Sequence, residues 1–185
     1  MGLDGVEFII AIEEAFGLDI PNDVAVTLRT PRDVVDYLVS QLPVAVDGPC
    51  LSQRAFYRLR TALEDSSARE SELPIAPDSE LDYLVPRAER EEAWRRLGAQ
   101  LGAASFPGPP VASDWLARLA WWRPRQVRDV VQHVVAHAPR SLIGDEGWTR
   151  AQIAAVVTRV CEVEFGVDMR RFSLDSDFAR DMGID

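Results

Sequence analysis

Apolar positions return every three or four residues through most of this chain, the period of helices with one wet face. GVEFIIAIEEAF, from Gly5 to Phe16, places Val6, Ile9, Ile10, Ile12 and Phe16 on that period and Glu7, Glu13 and Glu14 between them. Asp4 reads as its N-cap with Glu7 three residues on, and Gly17 as its stop. Pro21, Asn22 and Asp23 predict a turn and a short helical piece. Thr30 and Pro31 then open PRDVVDYLVSQL, which turns Val34, Val35, Leu38 and Leu42 inward. Near the other end, WTRAQIAAVVTRVCEVEFGV, from Trp148, predicts a helix capped by Thr149 and ended by Gly166. Its buried positions are Ile153, Val156, Val157, Val160, Cys161 and Phe165. Beyond it, Phe172, Leu174, Phe178 and Met182 are spaced through turn residues, as in an ordered loop tacked onto a helical core. A single long helix and a loop cannot cover their own apolar face, so this C-terminal piece must dock elsewhere.

The middle of the chain predicts further helices. SQRAFYRLRTAL puts Phe56, Leu59 and Leu63 on one face, and SSARESELP reads as a loop. Pro86 marks a boundary, after which Arg87 to Leu101 forms a charged helix with Ala93, Trp94, Leu97 and Leu101 inward. SFPGPPVASD is a linker or rigid excursion. WLARLAWW and RPRQVRDVVQHVVAHAP come next, the second with Val127, Val130, Val131, Val134 and Val135 as a stripe.

Composition narrows the function classes. The 185 residues are 47% hydrophobic and 27% charged, with 30 acidic and 20 basic side chains and a net charge of -10, which argues against a nucleic-acid binder. Through Val46 alone, eight acidic against two basic side chains give -6, so this segment's partners are expected to be basic. No segment approaches the roughly 18 apolar residues of a membrane span, and the start MGLDGVEF is acidic where a signal peptide is basic. The expected location is the cytoplasm.

Candidate chemistry is sparse. His133 and His137 stand four apart, a spacing able to hold a metal, but no H-E-x-x-H pattern or third ligand accompanies them, so they read as structural and no metal is expected. Cys161 lies on an apolar helix face and reads as core; Cys50 precedes a helix but has no histidine partner nearby. Trp121 and Trp122 read as core, or with Trp115 as an exposed apolar patch. With no phosphate loop and no nucleophile paired to a base, the chain is not expected to be an enzyme.

LDSDFARDMGID, at the C-terminus, resembles the first loop of acyl carrier proteins, whose pattern passes through Asp-Ser-x-Phe to Gly-x-Asp and then the serine that receives phosphopantetheine. GLDGVEFIIAIEEAFGLDIPNDVAVTLRTPRDVVDYLV, at the N-terminus, resembles the later part of that family's pattern: Gly-x-Asp, the second helix, the Ile-Pro segment, the short third helix and the fourth. The order is permuted, and both Gly2-Leu3-Asp4 and Gly183-Ile184-Asp185 match the junction motif. The resemblance covers about 85 residues in two pieces.

It implies an all-α, acyl-carrier-like helical bundle with permuted halves, residues 1–46 plus 148–185, around a helical middle domain, residues 50–147. PRQVRDVVQHVVAHAP can be laid on PRDVVDYLVSQLP, and PDSELDYLVP on LDSDFARDMG. The middle is therefore open between a degenerate carrier-like repeat and a family-specific helical insertion. The family's serine is missing: the position after Asp4 is Gly5, the chain ends after Asp185, and Ser173 and Ser176 read as turn formers. The resemblance thus implies a non-catalytic carrier-like protein without a phosphopantetheine arm, acting through protein contacts in an acyl, lipid or polyketide-type pathway. Glu7, Glu13, Glu14, Asp19 and Asp23 would meet arginines on a basic partner or acyl-handling enzyme. Exchange of the C-terminal helix between two copies would give a homodimer. The alternative is a functional acyl or peptidyl carrier, with phosphopantetheine on an unidentified serine or on a longer native product.

Overall fold

The computed structural model describes residues 2–64, 74–85, 90–101, 124–144 and 147–184. Trp115, Trp121, Trp122, Asp185, most of the SSARESELP loop, Pro86 and Arg87 lie outside the described residues. Those described form a multi-helix, all-α protein without a β-sheet. Two compact units divide the chain, Met1–Leu51 with Val135–Asp185, and Ser52–Val134.

In the first unit, α1 (Leu3–Phe16), α2 (Asn22–Ala25) and α3 (Pro31–Gln41) come from the start of the chain and α8 (Arg150–Phe165) from its end. A 3-10 turn at Pro139–Leu142 and a π-helical turn at Phe178–Met182 complete it. The expected boundaries follow local chemistry. Thr30 and Asp33 form a reciprocal capping box at α3, and Thr149 and Gln152 form another at α8. Gly17 and Gly166 end α1 and α8 in the left-handed conformation, at φ 67° and 63°, where a side chain would be strained. The start of α1 differs from expectation: Asp4 is inside the helix, and Gly2 is the N-cap with no side-chain cap.

The two ends of the chain are interlocked. α8 packs against both α3 and α1. Trp148 pairs its backbone with the segment after α3, donating to Pro43 at 2.9 Å and accepting from Ala45 at 2.7 Å. Its ring meets Phe16 at 4.8 Å. Arg150 pairs with Asp36, and Arg32 with Asp175. Ile12, Val34, Val35, Leu38, Ile153, Val156 and Val157 are sealed between these helices, each such side chain adding about 1.5–3 kcal/mol.

Two apolar positions of α1 do not join this core. Val6 and Ile10 are exposed, because the buried face runs through Gly5, Phe8, Ile9, Ile12, Ala15 and Phe16 and cannot also take their side. Leu42 and Phe165 are half-buried at helix ends.

The second unit holds α4 (Leu51–Glu64, whose first residue falls at the unit boundary), α5 (Leu81–Leu84), α6 (Arg90–Leu101) and most of α7 (Val127–His137). Leu59 and Leu63 of α4 are buried with Ala55 and Ala62, whereas Phe56 is only half-buried. Trp94, Leu97 and Leu101 of α6 are buried as expected, as are Val127, Val130, Val131, Val134 and Val135 of α7. The residues before Val127 are not helical: they form a bridge between Gln126 and Glu80.

Candidate functional site

The outer side of α1 carries exposed apolar and acidic side chains together. Leu3, Glu7, Ile10 and Glu14 succeed one another at three or four residues, so they form a single line along the helix, with Val6 beside it. Leu3 is 81% exposed and Ile10 47%. On the continuation of the chain Asp19, Asp23 and Val26 are also exposed. The line on α1 therefore alternates the carboxylates Glu7 and Glu14 with the apolar Leu3 and Ile10, which the core does not need.

Glu13 is different. It is half-buried, and its Oε1 accepts the N–H of buried Ile20 at 2.6 Å. That bond fastens the turn after Gly17 back onto α1, so Glu13 has a bracing task that its neighbour Glu14 lacks. Sequence spacing ranks the two alike, since both follow Ile12 and precede Phe16.

Beneath the first turn of α1 lies a cleft of about 480 Å³, bordered by Gly2, Gly5, Ile9, Val26, Phe178 and Ile184. Its walls come from both ends of the chain. Ile184 is buried there, its N–H donating to Phe178 O at 2.9 Å, which brings Gly183-Ile184 beside Gly2 and Gly5. Gly5 itself is buried, whereas Gly2, one turn earlier, is half-exposed at the N-cap. A group that carries a flexible arm into solvent needs an exposed attachment atom. Gly5, the position matched to the attachment serine, is not such a place. The frame of the helix, with Gly5 three before Phe8, was the signal in the sequence for its burial.

The segment after α8 is held by ion pairs. Arg32 hydrogen-bonds Asp175, through Nη2 at 2.9 Å, and holds its carboxyl below the usual carboxylate range. Arg170 does the same for Asp168. Asp181 is also held low, first by the Asp177 N–H and then by Arg180. Ser173 is a turn former, its Oγ accepting the Asp175 N–H at 3.2 Å, and Ser176 closes the same turn by donating its N–H to Ser173 O.

Cys161 is sealed in α8, and burial pushes its thiol up to about 12, so it is a core residue and not a ready nucleophile. Cys50 is exposed before α4. His133 is buried in α7, and Nε2 of half-buried His137 lies 2.8 Å from Glu164 Oε1. No group of three or more His, Cys, Asp or Glu is placed to hold a metal ion among the described residues. None of the described helices is long and apolar enough to cross a membrane.

Over 36 residues the chain is 50% identical to the acyl carrier protein of Syntrophobacter fumaroxidans, and equally to that of Thermosynechococcus vestitus. The matched stretch is 20% of this chain and 44% of either relative, so the chain spans less than half the length of the curated proteins it matches. No family model matches, and no solved structure does.

Proposed function

We propose that this chain is a non-catalytic, carrier-like protein that works by protein contact, using the outer face of α1 to meet a basic partner in a system that handles acyl groups. The observation that carries the reading is the line Leu3, Glu7, Ile10 and Glu14, exposed on a helix whose opposite face is sealed in the core. Carboxylates there steer a basic partner, and the apolar groups between them supply contact area once it arrives. Asp19 and Asp23 extend the charge. Similarity to acyl carrier proteins suggests the class of partner, an enzyme that recognises such proteins.

The phosphopantetheine arm is absent in this reading. Gly5, the position that the resemblance matches to the attachment serine, lacks the hydroxyl that a phosphodiester requires. The protein would thus present a carrier's surface without a carrier's cargo, as a competitor, scaffold or adaptor.

Two measurements test it. Intact-mass spectrometry after incubation with coenzyme A and a broad-specificity phosphopantetheinyl transferase is expected to give no mass gain, while a serine-bearing carrier in the same tube gains one arm. A gain on this chain overturns the arm-less reading and makes it a working carrier. The labelled protein is then titrated with purified acyl transferases that accept acyl carrier proteins. Binding is expected to weaken with salt and to be lost in Glu7→Lys/Glu14→Lys; binding indifferent to both overturns the assignment of the surface.

A further inference from the structure

The second unit repeats four hydrogen bonds and an ion pair that clamp a loop to a helix in the first. In the first unit the Arg32 N–H donates to Leu174 O at 2.9 Å while its guanidinium pairs with Asp175. The Phe178 N–H donates to Arg29 O at 3.0 Å, and Asp33 Oδ2 accepts from the N–H groups of Arg29 and Thr30 at 3.0 and 2.9 Å. In the second unit the Arg128 N–H donates to Pro77 O at 2.8 Å while its guanidinium pairs with Asp78. The Leu81 N–H donates to Arg125 O at 2.9 Å, and Asp129 Oδ2 accepts from the N–H groups of Arg125 and Gln126 at 2.7 and 2.9 Å. Helix-side partners in the second unit are 96 positions further along, as Arg125 is from Arg29, and loop-side partners 97 positions earlier, as Asp78 is from Asp175.

Burial keeps the offset of 96 between α3 and α7, and relates α1 to α6 by 89. Pro31, Val34, Val35 and Leu38 of α3 are matched by Val127, Val130, Val131 and Val134 of α7. Gly5, Phe8, Ile9 and Ile12 of α1 have the spacing of Trp94, Leu97, Gly98 and Leu101 of α6. Amphipathic helices share such spacings by chance. A set of hydrogen bonds between segments far apart in sequence, held at constant offset, is a much stronger coincidence. The clamp is also made in opposite chain order: the loop follows its helix by 143 residues in the Arg32–Asp175 pair but precedes it in the Arg128–Asp78 pair.

We infer that the second unit is a second copy of the first unit's fold in uninterrupted order, with α4, the loop through Asp78, α6 and α7 standing for α8, the loop through Asp175, α1 and α3. The protein is then a pair of related interaction modules, and calling them carrier-like rests on the function proposed above. The two copies have diverged in charge. The first unit contains 18 acidic and 8 basic side chains, the whole net charge of -10, and the second 12 of each. Where α1 exposes Val6 and Glu7, the matching positions of α6 expose Arg95 and Arg96, both paired with Glu92. A basic partner drawn to the carboxylates of α1 meets no such line of charge at these positions of α6.

Methyl-labelled full-length protein, without any partner, tests the duplication by nuclear Overhauser contacts and amide exchange. Contacts are expected from Leu59 and Leu63 of α4 to Val130 and Val134 of α7, the counterparts of contacts between α8 and α3. Asp33→Ala is expected to speed exchange of the Arg29 and Thr30 amides about tenfold, and Asp129→Ala that of Arg125 and Gln126 equally. Methyls of α4 that find α8-like contacts nowhere on α7, or an Asp129→Ala variant with unchanged exchange, overturn the inference. Such a failure leaves the docking face of α1 untouched, and a failed docking test leaves these contacts untouched.

Discussion

The ring of Phe8, in the first helix, lies 4.7 Å from the ring of Phe178, in the last turn, the planes tilted by 50°. Phe165 approaches Phe8 from α8 at 5.9 Å, so one side chain joins three segments from opposite ends of the chain. Phe8 is 2% exposed. Phe8→Ala therefore leaves a cavity at the seam and is expected to cost about 3–5 kcal/mol. Urea unfolding monitored by tryptophan fluorescence checks this. A loss below about 1 kcal/mol would mean that the ends do not close on each other as described.

Glu13 and Glu14 separate bracing from display. Glu13→Ala removes the acceptor of the Ile20 N–H and is expected to destabilise the protein by about 1.5–3 kcal/mol. Glu14→Ala, on the exposed line, should change stability by less than about 0.5 kcal/mol while weakening a basic partner. Equal effects on stability would remove the distinction.

The Arg32–Asp175 pair gives an acid-dependent term with a definite sign. Asp175 is held below its unfolded value, near 3.9, by Arg32, so the pair's contribution is fully present above that pH. It fades as pH falls through the lowered folded value. Asp175→Asn should then melt below the wild type at pH 6 to 7, and the two should converge as the pH is taken well under about 4. The gap should be small and shrink in high salt, because both side chains are exposed. A gap that widens in acid would contradict the assignment.

Much of the fold was legible because strong local signals agreed with the global one. The capping boxes at Thr30 and Thr149, the stops at Gly17 and Gly166, and the buried stripes of α3, α7 and α8 all arise from local chemistry. The start of α1 was misread because Asp4 and Glu7 make a plausible capping box, while the actual cap is a glycine with no side chain to announce it. Periodicity groups Val6 and Ile10 with the buried positions because it counts apolar residues and does not say how wide a face the neighbours can cover. The bond from Ile20 to Glu13 and the matching clamps at Asp33 and Asp129 depend on contacts between turns and side chains, which the spacing of apolar residues does not encode.

The two cysteines should respond to a thiol reagent in two steps. Cys50 is exposed, whereas Cys161 is buried with its thiol pushed up to about 12 by desolvation. Native protein at pH 8 is expected to take one label promptly and the second only at the rate at which the first unit opens. Mass spectrometry of peptides containing each cysteine reads the outcome. Prompt labelling of Cys161 would show that α8 does not hold its apolar face against α1 and α3.

Ile10 and Ile12 lie two positions apart on α1 and point to different surroundings: Ile10 is 47% exposed, and Ile12 is fully buried. Ile12→Ala is expected to cost about 2–5 kcal/mol through lost burial and a cavity, and Ile10→Ala less than about 0.5 kcal/mol. If the outer face of α1 is a docking surface, the second substitution nevertheless weakens partner binding, since the contact area it removes lies between Glu7 and Glu14 and not in the core. Chemical denaturation and a binding titration on the same two variants separate these effects. Loss of stability in Ile10→Ala comparable to that in Ile12→Ala would place Ile10 in a packed interior and leave the acidic line without its apolar half.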